Sequence, residues 1–213
     1  MKICILKISL LAGLLLFSAF PLRADEEQDL IAKLGSSAAT AEKCTACVRL
    51  RIVGTTNSIA PLSVLLLDQG TAHAARYALE GLPFPEAVAA LRQALPRADG
   101  LVKVGLIDSL GRRHDNGSVP LLIPLISDKD AQIASAAASS LGKIGGEKAV
   151  TALNGMREKA APEVRPIVWN SLLQCAEDLH AKGDNAAAIK LYQEFSSSSF
   201  PERIRVAAWR DTR

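Results

Sequence analysis

Leucine returns along this chain at a fixed interval, and the interval limits what the chain can fold into. Leu79, Leu110, Leu141 and Leu172 are each 31 residues apart. Other apolar columns keep the same step. Ala75, Leu106, Ala137 and Val168 lie four residues before these markers, and Val102, Ile133 and Val164 lie eight before. Val88, Val119 and Val150 follow nine residues after. An earlier copy pairs Leu50 with Ile59 and sits 29 residues upstream of Leu79. A period of this length signals stacked supersecondary units, each too small to cover its own apolar face.

The stretch Asp128 to Val150 shows the content of one unit. Ile133, Ala137, Leu141 and Ile144 fall on one helical stripe, with Gln132, Ser135, Ser139 and Lys143 on the other side. Gly145 and Gly146 follow the stripe, where a positive φ commonly stops a helix. Each unit therefore reads as a pair of helices. Proline marks the start of the first helix at Pro61, Pro85 and Pro120, and Pro124 inside such a helix should bend it. Asn57-Ser58 and Asn116-Gly117-Ser118 read as cap signals. With 49% hydrophobic residues but only 4% aromatic, and no run of alternating β-branched residues, the composition suits an all-helical stack.

The pattern resembles the HEAT-repeat family in its short form, also called PBS-lyase HEAT-like. The resemblance rests on an acidic loop, an apolar–basic pair, alanines and a terminal Leu-Gly. It is carried by SDKDAQIASAAASSLGKIGG at 127–146, APEVRPIVWNSLL at 161–173 and PERIRVAAW at 201–209. Val164-Arg165 and Ile204-Arg205 keep the pair, whereas Ile133-Ala134 and Val102-Lys103 lack its arginine. The resemblance covers about residues 40–209 and implies an α-solenoid of about five to six stacked helical hairpins. The stretch AEDLHAKGDNAAAIKLYQEF, within 163–200, is similar to a tetratricopeptide hairpin.

Residues 1–24 have a positive start at Lys2 and Lys7, an apolar run from Ile8 to Phe20 and a small residue at Ala24. This is the pattern of a secretory signal cut after Ala24. The expected domains are this signal and a repeat domain over 25–213, the product being exported to the periplasm or secreted with no stable membrane span. The net charge of +3 comes from 25 basic and 22 acidic residues. Lys2, Lys7 and Arg23 leave with the signal, so the mature chain has 25 − 3 = 22 bases against 22 acids. No polybasic patch remains, and nucleic acid is not an expected partner. The acids at 25–27 read as complements to a helix dipole at the N-terminal cap of the stack.

Cys44 and Cys47 form a C-x-x-C, but no second pair follows at zinc spacing and no strand precedes it. Cys47 shares a stripe with Ala46, Leu50 and Val53 and reads as core, as does Cys175. His73, His114 and His180 have no ligand partner at helical spacing. The HEAT-like iron hydroxylases use His-Glu dipeptides, which are absent from this sequence. No nucleophile elbow, phosphate loop or zinc-protease motif is present. No cofactor is expected. The stack closes on a polar loop, Ser196–Ser199, and a helix over 201–213 bearing Trp209, an apolar end that suits a fragment or a partner contact.

The resemblance implies a non-catalytic scaffold for a protein partner. Two polar columns mark its expected face: Tyr77, Asp108, Ser139 and Asn170, and one turn further Arg112, Lys143 and Gln174. The alternatives are a lyase-like enzyme or accessory subunit of the same family, and a structural domain severed from a larger secreted protein.

Overall fold

The computed structural model describes residues 25–195 together with Phe200, Glu202, Arg205 and Val206. The signal, the serine loop and nearly all of the closing helix read from the sequence lie outside these residues. The described residues form α1 (25–35), α2 (Thr40–Val53), α3 (Ile59–Val64), α4 (Ala72–Gly81), α5 (Pro85–Ala94) and α6 (Gly100–Arg112). After these come α7 (Val119–Leu122), α8 (Ala131–Ile144), α9 (Gly146–Met156), α10 (Arg165–Ala181) and α11 (Asn185–Glu194). They contain no strand. The fold is all-α, a solenoid of helix pairs. Its chain divides into two compact units, Met1–Ala90 and Leu91–Arg213.

In the first unit α2 packs along α4, and α3 also lies against α4. In the second, α6 packs on α8 and α8 on α10, while α10 turns back as a hairpin with α11. The recurring leucines make these contacts. Leu79, Leu110, Leu141 and Leu172 are all fully buried, as are Ala75, Ala137 and Val168. Burial of each leucine contributes about 1.5–3 kcal/mol, so these columns are a main source of stability. Val102 and Val150 are only half-buried, the two exceptions to the columns.

A second column sits one residue before the leucines, and its small size sets the helix spacing. Ala78, Ser109, Ser140 and Ser171 are again 31 apart and all buried. In the second unit, Gly111 faces Ser140 and Gly142 faces Ser171, so adjacent helices approach almost backbone to backbone. Ser140 Oγ donates to the Ile107 carbonyl at 2.9 Å, and Cys175 Sγ approaches the Gly142 carbonyl at 3.6 Å. A hydroxyl buried here needs such an acceptor.

Local signals explain most helix ends. Asp130 accepts from the Gln132 amide at 2.8 Å and starts α8. Gly145 stops it with φ +68°. Asp184 starts α11 by accepting from the Ala187 amide, after Gly183 turns the chain with φ +84°. The hairpin read from 163–200 thus has the expected turn.

The structure adds to three expectations. Pro124 does more than bend its helix: α7 ends at Leu122 and the chain continues as a 3₁₀ turn, Ile123–Ser127. A proline there has no N–H for the α-helical ladder. Leu65–Leu67 and Leu95–Arg97 end their helices in the same way. Ser58 and Ser118 stand at the N-cap positions of α3 and α7, but neither side chain makes a cap bond. Both are fully buried in 3₁₀ turns, and Thr55 accepts from the Asn57 amide instead. Finally, Glu27 lies in the first turn of α1, as a dipole complement should, and is also a buried carboxylate, 5% exposed. It accepts from the Thr55 amide at 2.7 Å, the Thr55 hydroxyl at 3.0 Å and the Ser58 hydroxyl at 2.6 Å. These bonds join α1 to the turn after α2. Burial pushes the Glu27 carboxyl up, but the bonds from Ser58 and Thr55 outweigh it and leave it below its ordinary value. Beside it, Arg49 grips Glu26 with two nitrogens, a contact that raises the Arg49 pKa further.

Candidate interaction face

The second unit carries six of the seven residues expected on the binding face. Asp108 and Arg112 lie on α6, Ser139 and Lys143 on α8, Asn170 and Gln174 on α10. A step of 31 residues puts equivalent positions on successive second helices, and those helices pack in sequence. Arg112, Asn170 and Gln174 are exposed, while Asp108, Ser139 and Lys143 are half-buried. Between Ser139 and Lys143, the residues Ser140, Leu141 and Gly142 all turn inward. The two columns are thus neighbours on one side of three helices.

One ion pair links them. Lys143 Nζ lies 3.9 Å from Asp108 Oδ1, across α6 and α8. At that distance and exposure the pair contributes at most about 1 kcal/mol. It leaves both groups available to a ligand. His114 anchors the end of this face. It holds φ +48°, and its Nδ1 lies 2.6 Å from the Lys143 carbonyl at the end of α8. The positive φ, uncommon for a residue with a Cβ, is held by that bond.

Tyr77 belongs to the first unit. It is 38% exposed on α4, and the Arg51 guanidinium lies 4.4 Å from its ring centroid. The sequence reading missed what adjoins it. Subtracting the 29-residue step between Leu50 and Leu79 from Tyr77 gives Val48, and from Gly81 gives Ile52. Both are exposed on α2, at 47% and 59%. The columns are apolar here and polar in the second unit. A hollow of about 440 Å³ opens beside Ile52, with Leu82, Pro83 and Phe84 in its wall.

The second unit also holds a cleft of about 840 Å³ between α9 and α11. Val150 and Leu191 give it apolar walls, which accounts for the partial exposure of Val150. Glu194 crosses it, accepting from Asn154 Nδ2 at 2.9 Å and from Arg157 at 3.2 Å.

The three described cysteines are free thiols, placed as the sequence suggests. Cys47 and Cys175 are buried, and Cys44 is half-buried with its Sγ 3.5 Å from the Gly70 carbonyl. Burial, with a lesser push from Cys44, raises the Cys47 thiol to about 11. Burial, aided by Asp178, raises Cys175 to about 12. Among the described residues, no group of three or more His, Cys, Asp or Glu side chains is placed to hold a metal. No helix among them is long and apolar enough to cross a membrane.

Residues 88–172 match the family model for HEAT repeats. This stretch is similar to a run of HEAT repeats. The HEAT stretch begins at Val88, a column position, and ends at the marker Leu172. No curated protein matches the chain at the sequence level. Solved structures extend the fold likeness beyond the HEAT stretch. An engineered protein from a structural genomics consortium is 20% identical, with a TM-score of 0.53 over 88% of this chain and 95% of its own. A designed armadillo repeat protein is 17% identical, with a TM-score of 0.50 over 86% of this chain and 97% of its own. Human deoxyhypusine hydroxylase is 16% identical, with a TM-score of 0.50 over 90% and 96%. At these identities the likeness is one of fold.

Proposed function

We propose that this chain is an exported, non-catalytic HEAT-repeat scaffold that binds a protein partner through the outer side of its second helices. The observation that carries this reading is the alternation on α6, α8 and α10. The same two polar positions reach the surface on each helix, while the residues between them bury, fully on α6 and α8 and with Leu173 half-buried on α10. Such a surface offers a repeating set of hydrogen-bonding groups on a rigid frame. With bases and acids balanced in the mature chain, specificity there comes from local polar contacts rather than long-range attraction.

Residues 25–213 act as one repeat domain in this proposal, and 1–24 direct export. N-terminal sequencing of the protein from the native cell tests the second point, with Asp25 the expected first residue. The binding reading is tested by crosslinked pull-down with Arg112→Ala, Lys143→Ala and Gln174→Ala combined. These side chains lie outside the core, so helicity should hold while partner recovery falls at least about tenfold. Unchanged recovery with intact helicity overturns this face.

A further inference from the structure

We infer that the Arg51–Tyr77 stack and its adjoining hollow form a docking site for a partner-protein segment that presents an acidic side chain beside a bulky apolar one. The inference rests on the scaffold role proposed above and narrows it.

Three arginines are described in the first unit, and their settings differ. Arg49 is held by Glu26 and Arg76 by Glu80. Arg51 is held by an aromatic face, with its guanidinium carbon 4.4 Å from the Tyr77 ring centroid. Among the described residues, no carboxylate or other acceptor meets its N–H groups. A stacked guanidinium keeps its in-plane donors open, and those donors match the two oxygens of a carboxylate. Stacking also removes part of the side-chain entropy that a free arginine would lose on binding.

The seat for this side chain is made by a second residue. A Cβ added at Gly81 would overlap Arg51 Cγ and Nε. The middle of the side chain, not its flexible end, therefore occupies the space that glycine leaves at the end of α4. Gly81 and Tyr77 together fix where the charge stands.

Apolar surface borders that charge. Ile52 is 59% exposed and Val48 47%, one turn apart on α2. Ile52 also lines the hollow with Leu82, Pro83 and Phe84. Among the described residues, the only carboxylate in its wall is Glu27, already committed to Thr55 and Ser58. At about 440 Å³ the hollow accepts a leucine-sized side chain with space remaining. A donor fork beside a greasy recess selects an acid next to an aliphatic group, and discriminates against the amide analogue, which cannot take both donors.

The test uses the full chain labelled with ¹⁵N and with ¹³C methyl groups, titrated with three blocked tripeptides: acetyl-Leu-Glu-Leu-amide, acetyl-Leu-Gln-Leu-amide and acetyl-Ala-Glu-Ala-amide. The first should shift the Arg51 Nε–H signal and the Ile52 and Leu82 methyl signals saturably. The other two should bind at least about tenfold more weakly. Gly81→Ala should keep the helical spectrum and bring the Glu peptide down to the affinity of the Gln peptide. Arg51→Lys, which keeps the charge but not the fork, should weaken the Glu peptide at least about fivefold and serves if Gly81→Ala does not fold. Equal binding of the Glu and Gln peptides, or no saturable shift at these groups with any peptide, overturns the site. Such a result alongside loss of partner recovery in the second-unit triple variant would leave the scaffold reading standing.

Discussion

Gly142→Ala and Gly155→Ala make the same chemical change in two helices of one unit, and should shift stability in opposite directions. In α8, a Cβ at 142 would stand 2.7 Å from Ser171 Cβ, 2.9 Å from Ser171 Cα and 3.1 Å from the Ser171 carbonyl oxygen. Two of these three atoms are backbone, so rotating a side chain cannot relieve the overlap. Ordinary contact begins near 3.4 Å. The α8 and α10 backbones would then have to part by roughly 0.5 Å or more, in a core packed like a crystal. Overpacking of this kind costs about 1–3 kcal/mol, and backbone overlap places it near the top of that range. Alanine's better helix propensity returns about 1 kcal/mol. The net expectation is a loss of about 2 kcal/mol. In α9, a Cβ at Gly155 meets nothing within 4 Å. Only the propensity gain remains there, about 0.5–1 kcal/mol. For a chain of this size, 1 kcal/mol moves Tm by roughly 2–4 °C. Circular dichroism melts should therefore show Gly142→Ala lowered by about 4–8 °C and Gly155→Ala raised by about 1–4 °C. Adding Ser171→Gly should recover part of the loss, because it removes the nearest atom but not the Cα. A Gly142→Ala melt at or above that of the parent would refute the close-approach argument.

Glu27→Ala should cost about 1–3 kcal/mol by leaving the Thr55 amide and the Ser58 hydroxyl without an acceptor, and the Thr55 amide should lose hydrogen-exchange protection first. Because the folded Glu27 pKa is depressed, its contribution is complete above the unfolded value near 4.5 and fades as pH falls through the lower folded value; Glu27→Gln should flatten that acid limb of a pH–stability curve. Of Cys44, Cys47 and Cys175, only Cys44 should react readily with a thiol reagent at pH 8, since the other two stay protonated until about 11 and about 12; mass mapping after a timed pulse reads this directly. Asp184→Ala should destabilise the α10–α11 hairpin by about 0.5–2 kcal/mol through loss of its N-cap, seen as faster exchange at the Ala187 amide.

Much of the fold was legible because its determinants are local or periodic. The leucine columns follow from the helical period and the repeat step, so Leu110, Leu141 and Leu172 could be placed in the core without coordinates. Gly145 and Gly183 declared their turns by residue type. Ser58 and Ser118 hold the expected N-cap positions without cap bonds, because a serine before a helix looks alike whether its hydroxyl caps or buries. What decides is the acceptor the hydroxyl finds: Glu27, far away in sequence, for Ser58, and Asp115, just before its turn, for Ser118. The surface columns were legible as positions, since the 31-residue step carries surface as well as core. Their chemistry in the first unit was not. A polar pattern was sought, whereas α2 presents Val48 and Ile52.

The sequence by itself determined the period, the helix pairs, the buried leucines and the inert setting of Cys47 and Cys175. These depend on which residues recur and at what spacing. The tertiary structure alone decided that Glu27 reaches a turn 28 residues on, that Arg51 lies in the space left by Gly81, and that α8 meets α10 through Gly142 and Ser171. Each is a contact between helices, set by how closely two backbones approach. That distance follows from packing the whole interface at once, and no single stretch of sequence encodes it.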